Sequence, residues 1–403
     1  CAPIQPHMGD FMVGFPASTI NTIHALAAGI TTIGNLSQFF AHEAPFWKDT
    51  KTTTIETVRA ISILGALRNR GVVLHSYLED GFGALFNDCA TIAGWAFLER
   101  YIVEELLDCK LVHCIGGLTA DPVKRAGWVF ALNGIHRGHC LGSMIYGDTI
   151  SMTNDFTVNQ AVVGEYLLWD IMAQIECPTG HAVLPLPVTE ALRVPSVEEI
   201  VQAHKFGRGV ESAARRLHPH VDFGPSYEFS NKVVSEGRAV FRRALDGLKD
   251  EGVDIRNPVQ MLYVLKKIGP TLFEGALSDM TGKAAEEGRE WVEPTDGYLM
   301  SKHCIDENRH FFLRPEISSS FKGRRLLLAS TDVHQHAIMI LDQLFSLSGA
   351  VISNMGAEND PEEVALRAIQ EGVEVILVST HNGNALEYAR MLKKALGIKG
   401  AAI

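Results

Sequence analysis

Short apolar runs alternate with amphipathic segments along most of this 403-residue chain, and this alternation most constrains its fold. The clearest case lies near the end of the sequence, where the apolar run 325–331 precedes apolar residues at helical spacing. A second strand and helix follow, and then the near-continuous apolar strand 374–378 and a last helix. Strand–helix repeats of this kind predict a doubly wound, Rossmann-like α/β sheet, which binds ligands at the carboxyl ends of its strands.

The first 285 or so residues show the same alternation. We predict strands at six apolar runs: 2–6, 29–34, 72–77, 110–115, 141–146 and 181–185. We predict helices at 55–69 and 87–107. A strand and a helix every ~30 to 40 residues indicate parallel strands with right-handed crossovers. Without a dinucleotide-binding fingerprint, this pattern favours a TIM-type β/α barrel, and since eight strands close such a barrel, we expect only its C-terminal part.

The patterns divide the chain into two α/β domains. The barrel is expected at 1–285, with a helical extension from about 196, and the second domain at 325–403. Pro294, Gly297 and Pro315 mark 286–324 as a less regular linker. The barrel has fewer strands than the eight that close it, and the second domain stops at the start of a fourth strand. We therefore expect the sequence to be truncated at both ends.

Composition narrows the functional classes. The net charge is −11 with scattered acidic residues, which argues against nucleic acid as a partner. No apolar run reaches the about 18 residues of a membrane span. The seven cysteines suit free thiols in a reducing cytoplasm, the expected location. Cys109 and Cys114 lack a second pair for zinc, and His303, Cys304 and His310 lack a fourth ligand.

Asp332 and His334 lie where the first strand of the second domain ends and its helix begins. A histidine at such a turn can bind a metal through one ring nitrogen while a nearby carboxylate holds the other. That contact fixes the tautomer and raises the basicity of the ligating nitrogen. A cap or a surface position is the usual alternative. The pattern marks His334 as a candidate metal ligand and Asp332 as its hydrogen-bond partner.

The surrounding sequence resembles the cobalamin-binding modules of B12-dependent mutases and methyltransferases. Such modules carry Asp-x-His-x-x-Gly after the first strand and Ser-x-Leu after the third. This chain has Asp332 and His334, with Ala337 in place of the Gly. It has Ser379, with His381 in place of the Leu. The Gly-Gly motif that follows the fourth strand in the family would come after the last residue of this sequence.

Within that group the chain most resembles glutamate mutase. Four segments carry the likeness, the first two to its large subunit and the others to its small subunit: 15–34, 178–191, 354–363 and 375–383. Pro178 and Ala182 stand where glutamate mutases have Lys and Glu, which implies a substrate other than glutamate. The resemblance implies a carbon-skeleton mutase, a radical isomerase, with barrel and cobalamin module fused in one chain.

The resemblance also assigns residues. It implies that His334 is the cobalt ligand. The residues implied to bind adenosylcobalamin are Asp332, Val333, His334, Ala337, Ser379, Thr380 and Gly383. The catalytic candidates in the barrel are His181, Glu190 and Glu79. Further polar residues at strand ends, which caps or solvated loops would equally explain, are Asn35, His42, Glu43, Asp80, Thr119, Asp121, Asp148 and Thr149. Arg137 and His139 precede a strand and are expected at the other end of the barrel.

The implied substrate is a small acid such as glutamate/3-methylaspartate or 2-methyleneglutarate, and a homodimer is the candidate assembly. Two alternatives stay open. The first is a corrinoid-dependent methyltransferase, whose module has the same Asp-x-His and for which the helices of 196–287 would form a cap. The second is a non-catalytic B12 carrier or sensor.

Overall fold

The computed structural model describes residues 7–9, 12–41, 49–138, 142–180, 183–190, 192–277, 291–380 and 385–397. The chain forms two compact units, both of mixed α and β structure. The first unit comprises Cys1–Phe40 and Asp49–Gly297, and the second comprises Ala41–Lys48 and Tyr298–Ile403. Within the described ranges, no helix combines the length and apolar character that crossing a bilayer would require.

The first unit contains a curled, half-barrel sheet of five parallel strands that neighbour one another in chain order. They are β1 His7–Met8, β2 Thr32–Ile33, β3 Val73–Tyr77, β4 Leu111–Ile115 and β5 Met144–Ile145. The predicted parallel strands near 29–34, 72–77, 110–115 and 141–146 are therefore confirmed. The strand predicted at 2–6 lies outside the described residues.

The prediction of a strand at 181–185 is wrong for its described part, 183–185, which has no strand pairing. The hydroxyl of Tyr166 donates to the carbonyl of Leu184 at 3.0 Å and accepts from the amide of Leu186 at 2.7 Å. Pro185 and Pro187 supply no backbone N–H for a ladder. A side chain and two prolines thus replace the strand contacts that the apolar run had suggested.

Helices cover the sheet of the first unit. They are α1 Ser18–Ala27, α2 Leu36–Ala41, α3 Thr50–Ala66, α4 Cys89–Arg100, α5 Pro122–Ile135 and α6 Phe156–Glu176. A π-helical turn, Tyr101–Leu106, continues α4. Four of these helices begin with an aspartate whose carboxylate accepts from backbone amides of the first turn: Asp49, Asp88, Asp121 and Asp155. The core of this unit is aromatic around Trp95, which packs against Phe40, Phe82 and Phe273.

The helical extension belongs to the first unit. It consists of α7 Val197–Leu217, α8 Gly224–Asp250, α9 Pro258–Ile268 and α10 Pro270–Leu277. Helix α8 packs across α4 and α5, and α7 packs against α6. Gly94 and Gly237 allow α4 and α8 to come close, because a Cβ on Gly94 would lie 2.7 Å from the Cβ of Val240.

The segment 286–324 differs from the less regular linker that its prolines and glycine predicted. It contains α11 Asp296–Phe312 and α12 Pro315–Phe321. Residues 291–297 pack on the first unit: the Asp88 carboxylate accepts from the amide of Val292 at 2.8 Å, and Lys124 Nζ donates to Asp296 Oδ1 at 2.7 Å. These contacts join residues 291–297 to the first unit, and the boundary between the two units falls after Gly297, within the segment predicted as a linker.

The second unit contains a parallel sheet of three strands in the order β7-β6-β8. They are β6 Arg325–Ser330, β7 Val351–Asn354 and β8 Val375–Ser379, and they alternate with α13 His336–Leu347, α14 Pro361–Glu371 and α15 Ala385–Ala395. Asp360 and Glu363 form a capping box at the start of α14. The predicted strand–helix alternation of 325–396 is confirmed over its described residues.

Candidate functional site

Asp332 and His334 lie in the loop between β6 and α13, and their side chains are in contact. His334 Nδ1 is 2.9 Å from Asp332 Oδ1, and the same oxygen accepts from the His334 amide at 3.0 Å. The side chain of Asp332 is 13% exposed and that of His334 is 58% exposed. A partly buried carboxylate therefore holds one ring nitrogen of a largely accessible imidazole. When Nδ1 carries the donated proton, Nε2 is the nitrogen able to bind a metal.

Hydrogen bonds to the end of β8 and to the loop after β7 hold this loop. Ser330 Oγ, at the end of β6, donates to the carbonyl of His334 at 2.8 Å. The Thr331 amide donates to the carbonyl of Ser379, at the end of β8, at 3.0 Å, and the Asn359 amide donates to the carbonyl of Ser330 at 3.0 Å. The Asp332–His334 contact is thus built on a loop tied to the sheet, which preorganises the imidazole.

The other residues of the predicted cofactor set lie along the same edge of the sheet or beside it. Val333 and Ala337 are half-buried, before and within the first turn of α13. Ser379 ends β8 and Thr380 follows it. Gly383 lies outside the described residues. Sequence reasoning missed Thr331, whose Oγ1 is buried and has no hydrogen-bond partner within the described part of the chain. A polar atom of a bound ligand would satisfy that hydroxyl.

This donor set suits a metal that arrives inside a macrocycle better than a bare ion. Across the described residues, no three His, Cys, Asp or Glu side chains form a group that could hold a metal ion. A macrocycle fills most coordination positions itself, so one protein imidazole suffices, as it does for haem. Burial raises the pKa of the Cys109 thiol to about 12 and that of Cys114 well above its usual range, which disfavours zinc-binding thiolates there.

In the first unit, Glu79 follows β3 and is buried beneath the loop after β4. Its Oε2 accepts from the amides of Gly116 at 2.6 Å and Leu118 at 3.1 Å, and its Oε1 accepts from Thr119 Oγ1 at 2.8 Å. Burial raises the pKa of Glu79, and these hydrogen bonds oppose the shift. These contacts indicate that Glu79 stabilises the loop after β4. Its catalytic role stays a prediction.

Polar side chains also meet at the carboxyl ends of the neighbouring strands. Asn35, after β2, accepts from the Tyr77 amide at 2.7 Å and donates to Asp80 Oδ2 at 2.7 Å. Asp148, after β5, is 4% exposed, and burial raises the pKa of its carboxyl group. The strand-end cluster, defined here as Asn35, Tyr77, Asp80, Thr119, Asp148 and Thr149, therefore forms one polar edge of the half-barrel sheet.

Further predicted residues differ in their burial and contacts. Glu190 is half-buried, and burial raises the pKa of its carboxyl group. Asp121 caps α5, and Thr149 Oγ1 donates to the carbonyl of Gly117 at 3.0 Å. Besides Gly383, four predicted residues lie outside the described part of the chain: His42, Glu43, His139 and His181.

Two groups of buried polar side chains were not predicted from the sequence. Arg125 Nη2 pairs with Asp170 Oδ2 at 2.6 Å, and Arg125 Nη1 also donates to the carbonyls of Gly116 and Thr119 at 2.7 Å each. Both charged side chains are at most 1% exposed. The signal available in the sequence was a charged residue beside an apolar stretch in each of two helices, Arg125 in α5 and Asp170 in α6. The pair anchors the loop after β4 from beneath.

The second missed group is a chain of three titratable side chains near β4. His113 Nε2 lies 3.0 Å from Glu99 Oε2, and His113 Nδ1 lies 2.9 Å from His136 Nε2. Trp95 Nε1 donates to Glu99 Oε1 at 3.0 Å. Burial raises the pKa of Glu99 to about 7 and lowers that of His113 well below its usual range. This Glu–His–His chain connects α4, β4 and the end of α5.

No protein-family model and no curated protein matches the chain. The functional argument therefore rests on the two edges just described: the loop after β6 with its Asp332–His334 contact, and the strand-end cluster of the first unit.

Proposed function

We propose that this chain binds adenosylcobalamin through His334 and is a coenzyme-B12-dependent carbon-skeleton mutase that acts on a small acid. The observation that carries the proposal is the 2.9 Å contact between Asp332 and His334 at the carboxyl end of β6. In chain order the parallel arrangement β7-β6-β8 is 2-1-3, the order with which a flavodoxin-like doubly wound sheet begins. In such sheets the ligand lies at the carboxyl ends of the strands, beside the switch in strand order, which here is between β6 and β8.

In this proposal each residue of the loop has a defined task. His334 Nε2 binds cobalt, and Asp332 keeps the proton on Nδ1 and the ring in a fixed orientation. Thr331 Oγ1 hydrogen-bonds a polar atom of the cofactor, which supplies the partner that this buried hydroxyl lacks among the described residues. The chemistry that adenosylcobalamin supplies when bound is homolysis of its cobalt–carbon bond, which initiates radical rearrangements.

The first unit would bind the substrate. We interpret its half-barrel sheet as part of a TIM-type β/α barrel, a fold whose chemistry occurs at the carboxyl ends of the strands. The strand-end cluster would line the substrate site and exclude water from it. Its loops are held in place by the buried Glu79 and Arg125 contacts.

The packing of the helical extension favours the mutase over the methyltransferase. In the methyltransferase alternative, the helices of 196–287 would cap the cobalamin module. Instead, α8 packs across α4 and α5, and α7 packs against α6, all within the first unit. This packing gives the helices a place within the first unit, which supports the mutase proposal.

Reconstitution distinguishes the candidate functions. The intact protein is incubated with adenosylcobalamin or methylcobalamin, and absorption and electron paramagnetic resonance (EPR) spectra are recorded as candidate acids are added. A substrate-dependent radical signal with adenosylcobalamin alone supports the mutase. Transfer of the methyl group to a thiol or a pterin would indicate the methyltransferase, and bound corrinoid that no acid changes would indicate the carrier. A protein that binds neither corrinoid contradicts the whole proposal.

Variants of the loop test the ligand assignment separately from turnover. His334→Ala should abolish the spectrum of imidazole-bound cobalamin, and Asp332→Asn should weaken corrinoid binding by about 10–100-fold, as loss of such partners does at other metal sites. His336→Ala is the matched control, because it removes a nearby imidazole at the start of α13. If His334→Ala retains both the affinity and the spectrum, His334 is not the ligand.

A further inference from the structure

A pocket lined by arginines lies on the first unit between α4, α5 and α8. It has a volume of about 470 Å³ and is lined by Phe97, Arg100, Glu105, Arg137, Arg238, Phe241 and Arg242. Helices α4 and α5 end near the pocket, before β4 and β5 begin, so it lies at the opposite end of the sheet from the strand-end cluster. Four arginines around one cavity concentrate positive charge in a chain whose net charge is −11.

Two of the four arginines make contacts within the fold that account for their positions. Arg100 is 5% exposed and donates to the carbonyl of Ile135 at 2.5 Å and to Glu104 Oε2 at 2.9 Å. Arg137 follows α5 in the left-handed conformation, with Nη2 at 3.5 Å from Glu105 Oε1. Cations at helix carboxyl ends complement the partial negative charge there, so these two residues are explained without a ligand.

Arg238 and Arg242 are not explained in this way. They lie one turn apart on the exposed face of α8, and neither has a carboxylate partner within the described ranges. Two like charges at this spacing repel each other and weaken a helix. Arg238 Cζ lies 5.4 Å from the centre of the Phe97 ring, which positions its guanidinium group. The guanidinium groups of Arg238 and Arg242 therefore face the pocket with their positive charges not balanced by an ion pair within the described ranges.

The wall that carries these arginines is rigid. Helices α4 and α8 approach so closely that a Cβ on Gly237 would lie 2.6 Å from the Cβ of Ala93. Phe97 of α4 and Phe241 of α8 extend the same contact, with ring centres 6.1 Å apart. A ligand would therefore meet donors whose backbone positions are already set, which lowers the entropy cost of binding.

We propose that this pocket binds a small molecule bearing a pyrophosphate or longer phosphate chain. Arg238 and Arg242 would each donate to phosphate oxygens, a geometry that the planar guanidinium fits in bidentate form. Arg137, whose side chain is 73% exposed, would complete the ring of donors. The volume exceeds the needs of a single phosphate and lies within the usual range of small-molecule sites. The proposal does not depend on cobalamin chemistry.

Isothermal titration calorimetry on the intact protein tests the proposal, with pyrophosphate, ATP and citrate as probes at matched ionic strength. We expect saturable binding of pyrophosphate or ATP that weakens at higher salt. The double variant Arg238→Gln/Arg242→Gln should reduce the affinity at least about tenfold. Loss of one hydrogen bond to a charged group typically lowers affinity by about that factor. Tighter binding of ATP than of pyrophosphate would identify a nucleotide as the source of the phosphate chain.

A matched control removes two exposed arginines elsewhere on the first unit, Arg70→Gln/Arg216→Gln, and should leave the affinity unchanged. Circular dichroism verifies that each variant is folded. Three results overturn the proposal: no saturable binding to the wild-type protein, equal affinity in the pocket variant, or citrate that binds as tightly as the phosphate probes. An equal loss in the control variant would attribute binding to net charge alone and would also overturn it.

Discussion

The Glu99–His113–His136 chain makes the stability of the first unit depend on pH in a calculable way. In the neutral form, protonated Glu99 donates to His113 Nε2, and His113 Nδ1 donates to His136. Glutamine at position 99 reproduces that arrangement, because its amide nitrogen donates to His113 and its oxygen accepts from Trp95 Nε1. Glu99→Gln therefore keeps the hydrogen bonds of the neutral form and removes only the ionisation.

The magnitude follows from the pKa of Glu99. Burial raises it from 4.5 to about 7 in the folded protein. A raised pKa means that the associated stability is fully present below the unfolded value and is lost as the pH rises through the folded one. At about 1.4 kcal/mol per pKa unit, the full difference is about 3 kcal/mol. About 2 kcal/mol of this should be lost between about pH 5.5 and about pH 8.

The assay is urea unfolding of wild-type protein and Glu99→Gln across that pH range, followed by tryptophan fluorescence. The stability of the variant relative to wild type should rise with pH by about 2 kcal/mol. The lowered pKa of His113 makes stability fall as the medium becomes acidic, in both proteins, so the difference isolates Glu99. Glu251→Gln, at an exposed position, should show no such trend. A difference that is constant with pH would refute the assignment of a buried, ionisable Glu99.

Two further substitutions test the packing of the first unit, both by urea unfolding. Gly94→Ala should destabilise by about 1–3 kcal/mol, because its Cβ would lie 2.7 Å from that of Val240, whereas Gly134→Ala has 3.6 Å to its nearest neighbour and should not. Equal effects at both glycines would contradict the close approach of α4 and α8. Asp170→Asn should cost about 3–5 kcal/mol, because it leaves the buried charge of Arg125 without its partner. A loss below about 1 kcal/mol would show that water reaches that pair.

Sequence patterns were most informative where the determinants are local. The strands β3, β4, β6 and β8 each follow from an apolar run between turns, and α14 follows from Asp360, Pro361 and Glu363 at its start. Tertiary contacts decided the exceptions. A tyrosine hydroxyl and two prolines replaced strand contacts at 183–185, and contacts of 291–297 with the first unit ordered part of a segment predicted as an irregular linker.

The candidate sites show the same division. Asp332 and His334 are two residues apart, so their contact could be predicted from the sequence alone. The Glu99–His113 contact joins residues 14 apart on different elements, and the Arg125–Asp170 pair joins residues 45 apart. Spacing in the sequence carries no signal for such partners, because the fold brings them together. The buried Thr331 hydroxyl was missed for a related reason, since its burial depends on packing at the edge of the sheet.

The most direct test of the central claim is the EPR spectrum of the protein loaded with cob(II)alamin, prepared from cells that incorporate ¹⁵N-histidine. A nitrogen bound to cobalt splits the lines into three when it is ¹⁴N and into two when it is ¹⁵N. Our account predicts that labelling histidine converts triplets into doublets, and that His334→Ala loses the histidine-derived splitting. Triplets that persist in the labelled protein would show that the nitrogen bound to cobalt does not belong to a histidine and would contradict the account.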